Sequence, residues 1–286
     1  MKIGLIGCGY WGRIILKNLR ELGYKDIVVC EQQDIDWEEV GAKYTVVSSY
    51  EDVECDAAII VTPATSHFGI CKHFLSKGIP VFCEKPLTLA VAKSKYLYKL
   101  AEKNNTRLFV DWIFTFNPCV HVIKELIKKK GKPNSIIANR MNFGPAREDV
   151  NAKWDLASHD VSILCYLLEE YPHSVNWFDF RRDEASEQED STVGILSFED
   201  TAAQINASWE YGIKNRLYVF EFDDGFVYWD DNTKSIIYGS ESIEVDKTSP
   251  LTNSLNAFLL NDYDMTAQKE LTLNTTEILN DGSIVQ

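Results

Sequence analysis

The stretch GLIGCGYWGRIILKNL (residues 4–19) sets three glycines, Gly7, Gly9 and Gly12, into six positions and then runs into an amphipathic segment. Taken alone, G-x-G-x-x-G describes either a turn that cradles phosphate or a tight bend between a strand and a helix. The flanking residues decide between them. KIGLIG (2–7) is a short apolar run of the kind that forms a buried strand. YWGRIILKNLREL (10–22) places Ile14, Ile15, Asn18, Leu19 and Leu22 near one helical face. Strand, glycine turn and helix in that order are the context that gives the pattern meaning.

In that context each glycine has its own task. Gly7 permits the tight turn, Gly9 lets the backbone approach a pyrophosphate, and Gly12 allows close helix–strand packing. The start of the helix offers unpaired N–H groups and a positive dipole end to phosphate. An acidic residue about 20 positions further on holds the ribose diol in such sites, and Glu31 closes the strand-like run DIVVCE (26–31). A carboxylate there repels a 2′-phosphate, so the expected cofactor is NAD (NADH) in preference to NADP. Gly7, Gly9, Tyr10, Trp11, Gly12 and Glu31 are its first candidate contacts.

The pattern continues outward. AAIIVTP (57–63), IPVFCEKP (79–86) and RLFVDW (107–112) are strand-like, while HFGICKHFLSKG (67–78), closed by Gly78, and TLAVAKSKYLYKLAEKNN (88–105) are helical. Alternation at this spacing predicts a parallel sheet with crossover helices. After the helical NPCVHVIKELIKKKGK (117–132) the texture changes. NSIIANRMNFG (134–144) is strand-like and KWDLASHDVSILCYLLEE (153–170) reads as an amphipathic helix. STVGILSF, AAQINASWEYG, NRLYVFEFDDGFVYWDDNTKSIIYG and ESIEV follow as aromatic-rich strands, with turn signals at Asp224-Gly225 and Asp231-Asn232. From SPLTNSLNAFLL onward the chain is helical again. The prediction is an α/β protein: a Rossmann doubly wound parallel sheet over residues 1–117, then an α/β domain with a large open-faced, mostly antiparallel sheet over 118–286, with a helical tail able to pack back on the first domain. DEASEQED (183–190) reads as a solvated loop, and KKKGK as a charged helix end that suits the dipole.

Composition narrows the function. A formal net charge of −14 over 286 residues argues against nucleic acid, whose phosphates require clustered Lys and Arg. Seven scattered cysteines without a C-x-x-C pair read as reduced buried thiols of a cytoplasmic protein, and no metal site is expected. Met1-Lys2 runs directly into a strand, so no signal peptide is expected, and no apolar run has the length of a membrane helix.

Ligands bind beyond the carboxyl ends of strands in such sheets. Two strand ends carry suggestive residues: VTPATSH (61–67) with Thr62, Pro63 and His67, and CEKP (83–86) with Glu84 and Lys85. Lys85 is able to hydrogen-bond a substrate hydroxyl and stabilise its oxyanion, though a lysine in such a position also occurs simply as a surface residue. Asp155 and His159, four apart, fall on one face of a helix, where the aspartate orients the imidazole and the imidazole takes a hydroxyl proton. Asp155 as a helix cap and His159 as a packed core histidine is the competing reading.

GLIGCGYWG, AAIIVTPATSH, EKPLTL, FNPCV and WDLASHDVSIL occur in this order and spacing, and together they resemble the glucose–fructose oxidoreductase / inositol dehydrogenase / MocA (Gfo/Idh/MocA) family over nearly the whole chain. The resemblance implies that Lys85 binds the substrate hydroxyl, that Asp155 supports the site and that His159 is the acid/base. It also implies a homodimer or homotetramer closed over the open sheet, and a cis peptide before Pro86. NRMNFGPAREDVNAKWDLASHDVSIL resembles the branch acting on nucleotide-linked amino sugars, although Ser158 stands where that branch has proline. By that similarity the substrate is a UDP-linked N-acetylated sugar or its uronate, oxidised at C3. Arg140, Asn142, Arg147 and Lys153 would supply polar and cationic contacts, and Phe116 and Asn117 would touch the substrate. An aminotransferase consuming the keto product would be the pathway partner. The rival readings are a dehydrogenase of a free sugar or cyclitol, a hydrolase or lyase using held NAD as an internal relay, and a non-catalytic NAD(H)-binding sensor.

Overall fold

A computed structural model describes residues 1–35, 44–144, 149–181 and 188–281, and the chain divides into two units. The first comprises Met1–Trp112 and Leu251–Leu273. Its six strands are β1 (Ile3–Ile6), β2 (Ile27–Cys30), β3 (Thr45–Val47), β4 (Ala57–Ile60), β5 (Val81–Glu84) and β6 (Leu108–Asp111). They form one parallel sheet in the order β3-β2-β1-β4-β5-β6, the doubly wound arrangement whose ligand edge lies at the carboxyl ends of the strands. Every residue of β1, β2, β4 and β6 is buried, as expected for strands covered on both faces. This is why their sequences are unbroken apolar runs instead of alternating ones. The edge strand β3, two of whose three residues are exposed, carries no such signal and was not anticipated.

The crossover helices are α1 (Tyr10–Glu21), α2 (Ala64–Ser76) and α3 (Val91–Lys103). α1 buries Gly12, Ile15, Leu16 and Leu19, so Leu16 faces the sheet while Ile14 and Leu22 stay half-buried. The unit also takes in α6 (Pro250–Leu260) from Leu251 and the first half of α7 (Met265–Asp281). Phe258 of α6 is fully buried and packs on Phe82 and Phe109, with ring centroids 5.6 and 5.9 Å away. Burial of such a ring contributes about 2–3 kcal/mol. Tyr98 Oη and Trp112 Nε1 both donate to Thr272 Oγ1, at 3.0 and 2.9 Å.

The second unit comprises Ile113–Pro250 and the chain from Asn274. Helix α4 (Pro118–Lys130) begins with Asn117 as its N-cap, whose side chain accepts from Cys119 N. Helix α5 (Ser158–Leu168) follows a π-helical turn, Lys153–Ala157. The nine strands are β7 (Ser135–Phe143), β8 (Ser174–Phe180), β9 (Ser191–Ser197), β10 (Ala202–Ser208), β11 (Glu210–Asn215), β12 (Leu217–Phe222), β13 (Gly225–Asp230), β14 (Ser235–Tyr238) and β15 (Glu241–Ile243). They run in the order β15-β14-β13-β12-β7-β10-β9-β8, with β11 also paired to β7. All pairings are antiparallel except β7 with β10. The β12–β13 hairpin turns at Asp223-Asp224, and Gly225 takes a φ of +141° that favours glycine.

One face of this sheet is core, with Ala138, Tyr218, Phe220, Ile205, Trp229 and Ile236 each fully buried. On the other face a row in register, Ile237–Tyr228–Val219–Ile137–Gln204–Ile195, crosses five strand boundaries, and its large apolar members Ile237, Tyr228, Ile137 and Ile195 are exposed. The anticipated amphipathic helix at α5 is instead buried nearly all round. Of Ser158–Leu168, only His159 and Tyr166 keep appreciable surface. No helix among the described residues is long and apolar enough to cross a membrane. The solvated-loop expectation at 183–190 falls largely outside the described residues.

Candidate active site

In the first unit the parallel register aligns Ile6 with Cys30 and Ile60, so β1, β2 and β4 end together. The glycine turn begins there. Gly7 has φ +94°, and an added Cβ would lie 2.9 Å from the Val61 backbone. At Gly12 a Cβ would fall 2.2 Å from Gly7 O, the close approach of α1 to β1 that only glycine allows. At Gly9 a Cβ would meet nothing within 4 Å. The bare backbone at Gly9 therefore faces open space, and α1 starts there without a side-chain cap on its N–H groups. Open space over an uncapped helix start is what a pyrophosphate requires.

Glu31 sits immediately after β2. Its Oε2 accepts from Cys8 N at 2.7 Å, and its Oε1 accepts from Gln32 N and Gln33 N at 2.8 and 3.1 Å. The carboxylate thus clasps the glycine turn and is held where a ribose diol would arrive. Tyr10 is three-quarters exposed (75%) at the start of α1. These features fit a dinucleotide, which Gly7, Gly9, Gly12 and Glu31 would hold.

Two further strand ends complete this edge. His67 is buried, 1% exposed, and its ring bridges two loops: Nδ1 lies 2.8 Å from Pro86 O and Nε2 2.8 Å from Thr62 O. That makes His67 a clamp between the Thr62-Pro63 turn and the Lys85-Pro86 turn, whose peptide is cis. Ser66 Oγ donates to Thr62 Oγ1 at 2.6 Å. Trp11 Nε1 donates to Glu84 Oε1, tying the first turn of α1 to the end of β5. Glu84 lies opposite Asp111 of β6. Burial pushes the Glu84 carboxyl up, against the Trp11 hydrogen bond and the Lys85 charge. Lys85 follows, half-buried.

In the second unit His159 is, with Tyr166, one of the two α5 residues left partly open, its ring edge-on to Phe114 at 5.1 Å. Asp155 lies in the π-helical turn Lys153–Ala157, directly before α5. Its Oδ2 accepts from Trp209 Nε1 at 3.2 Å. Trp209 was missed because it is distant in sequence and carries no local signal.

Two expected substrate contacts turn out differently. Arg140 is fully buried: Nε donates to Asp160 Oδ1 at 2.8 Å, Nη2 donates to Tyr218 Oη at 2.6 Å, and the guanidinium lies over the Phe114 ring at 4.3 Å. A guanidinium with no exposed surface is an internal support and does not itself meet a substrate. Asn117 is also buried, committed to capping α4 at Cys119 N and to Asp231 Oδ1 at 3.3 Å. Phe116 is half-buried beside it. Asn142 accepts from Arg216, and Lys153 donates to Asp179 at 2.7 Å. Arg147 lies outside the described residues.

Parallel strand order, glycine turn and a carboxylate at the end of β2 define the first unit as a dinucleotide-binding Rossmann domain. Residues 1–112 match the GFO_IDH_MocA family model, described as an oxidoreductase family with an NAD-binding Rossmann fold. Among curated proteins, a myo-inositol dehydrogenase from Streptomyces leeuwenhoekii is 28% identical over 124 residues, 41% of this chain and 38% of that protein. A UDP-N-acetylglucosamine 3-dehydrogenase from Acidithiobacillus ferrooxidans is 25% identical over 179 residues, 61% of this chain and 56% of that protein. These matches span well under two thirds of either relative. A solved structure of UDP-N-acetylglucosamine 3-dehydrogenase from A. ferrooxidans aligns with a TM-score of 0.84 over 98% of this chain and 95% of that one, at 19% identity, and so shares the fold.

Proposed function

We propose that the protein is an NAD-dependent oxidoreductase acting on a ring hydroxyl of a sugar, with a UDP-linked N-acetylated sugar or its uronate, at C3, as the substrate. The observation that carries the reading is the single edge of the parallel sheet on which the glycine turn, Glu31 and the Glu84-Lys85 pair follow strand ends. The nicotinamide would supply the hydride acceptor. Lys85 would bind the substrate hydroxyl oxygen and stabilise the charge that develops on it, as a fixed cation does best where water is scarce. His159 would take the hydroxyl proton, since an imidazole exchanges protons near neutral pH. Asp155 would support the site, held by Trp209. The Glu31 carboxylate favours NAD over NADP by repelling a 2′-phosphate. A cytoplasmic homodimer or homotetramer is part of the same proposal, with a second copy covering the apolar row on the open sheet face.

A second reading, a dehydrogenase of a free sugar or cyclitol, is favoured by the similarity to a protein named myo-inositol dehydrogenase. One experiment separates the two. NADH absorbance and keto-sugar mass are followed after mixing protein, NAD and either UDP-N-acetylglucosaminuronate, UDP-N-acetylglucosamine or myo-inositol. Lys85→Ala is the control, expected to lose turnover by more than a hundredfold while keeping NADH affinity. Product from a nucleotide sugar supports the first reading, and product from myo-inositol alone supports the second. Equal loss of NADH binding and turnover in Lys85→Ala would make Lys85 a structural residue.

A further inference from the structure

We propose that Asp111 is a positioning residue that carries a proton and donates it to Glu84, so that the two carboxyls together hold one negative charge directly before Lys85. The strand register puts Glu84 of β5 opposite Asp111 of β6. Asp111 is 1% exposed, and its Oδ1 accepts from Ser254 Oγ at 2.5 Å. No N–H or O–H group of the described residues reaches its Oδ2. The carboxyl beside it on the neighbouring strand is that of Glu84, in register with Asp111. Two ionised carboxylates side by side in a buried site repel strongly. One proton between them turns that repulsion into a charge-assisted hydrogen bond.

The surroundings say which residue holds the proton. Glu84 takes the Trp11 indole N–H and precedes the Lys85 ammonium, and both favour its ionised form against the burial that pushes its carboxyl up. Asp111 lies deeper and, among the described residues, takes its one hydrogen bond from the neutral Ser254 hydroxyl, and the Lys85 charge acts on it less than burial and the Glu84 charge do. Burial first, and then the Glu84 charge, push its carboxyl well above the ordinary range. The proton belongs on Asp111 and the charge on Glu84. The turn is then pinned by Trp11 and Asp111 at Glu84 and by His67 at Pro86 O. Lys85 keeps one anionic neighbour, where two would hold it in a tight ion cluster. Asp111 ends RLFVDW, where the sequence gives no reason to single it out.

The functional consequence rests on the dinucleotide reading: a single fixed negative charge at this edge favours the cationic oxidised nicotinamide over the neutral reduced one. The test measures dissociation constants of NAD+ and NADH by calorimetry for wild type, Asp111→Asn and Glu84→Gln. An amide at position 111 reproduces a protonated carboxyl, so Asp111→Asn is expected to keep the NAD+/NADH affinity ratio within about twofold. Glu84→Gln removes the charge and is expected to lower that ratio about tenfold, the size of one partly screened charge contact. A shift as large in Asp111→Asn as in Glu84→Gln would overturn the assignment. In parallel, infrared difference spectra at neutral pH are expected to show a protonated carboxyl band in the wild type that Asp111→Asn lacks. Absence of that band from the wild type would overturn the proposal whatever the variants do. If wild type binds neither nucleotide while the band is present, the dinucleotide reading fails and the shared proton stands.

Discussion

The glycine turn yields a sharp differential prediction, because its glycines are needed for different reasons. A methyl on Gly12 would sit 2.2 Å from Gly7 O and 3.0 Å from Gly7 C, both backbone atoms. Ordinary contact requires about 3.4 Å or more, so α1 must move away from β1 by about 1 Å, and overpacking of this kind costs about 1–3 kcal/mol. At about 2–4 °C per kcal/mol for a protein of this size, Gly12→Ala is expected to lower Tm by about 2–12 °C and to weaken NADH binding as the helix start shifts. Gly9 is the reverse case. Its φ of −65° and ψ of −162° are open to any residue, and a methyl there touches nothing within 4 Å. Gly9→Ala is expected to change stability by less than about 1 kcal/mol, the scale of an N-cap exchange, yet to weaken NADH at least about tenfold by occupying the space a pyrophosphate needs. Thermal unfolding and NADH fluorescence titration of both variants measure the two effects. Wild-type NADH affinity in Gly9→Ala would refute the reasoning, because the space above Gly9 would then not be ligand space.

Other outcomes follow from the second unit. Arg140→Ala removes the cation beside the buried Asp160 carboxylate and leaves it the Tyr218 hydroxyl, and is expected to cost about 3–5 kcal/mol in denaturant unfolding; a loss below about 1 kcal/mol would mean the cluster is not structurally important. Gly194→Ala would drive a methyl to 2.4 Å from the Trp177 ring, so it is expected to destabilise by about 1–3 kcal/mol and to change the tryptophan fluorescence. Ile137→Asp places a charge in the middle of the exposed apolar row and, with a second copy covering that face, is expected to reduce the mass in light scattering to that of a monomer. An unchanged mass would put the assembly interface elsewhere.

The sequence by itself determined the first unit's sheet and the glycine turn. Four-residue apolar runs such as Ile27–Cys30 and Ala57–Ile60 have one stable fate, a strand covered on both faces, and Gly7 with φ +94° beside the close approach at Gly12 leaves little alternative to glycine at either position. Glu31 was equally legible, since its place follows from the end of β2. The aromatic hairpins of the second unit were marked by Asp-Gly and Asp-Asn turns. Other features were decided only by tertiary structure, because they depend on partners far along the chain. Arg140 looked like a substrate cation until Asp160 and Tyr218, 20 and 78 residues away, enclosed it. Asp155 sits in a π-helical turn and accepts from Trp209, 54 residues further on, which the local sequence does not show. Asp111 showed nothing in RLFVDW, since its meaning lies in a carboxyl one strand over. Local periodicity records which face a residue turns to the core, but the charge state and role of a buried polar group are set by what packs against it.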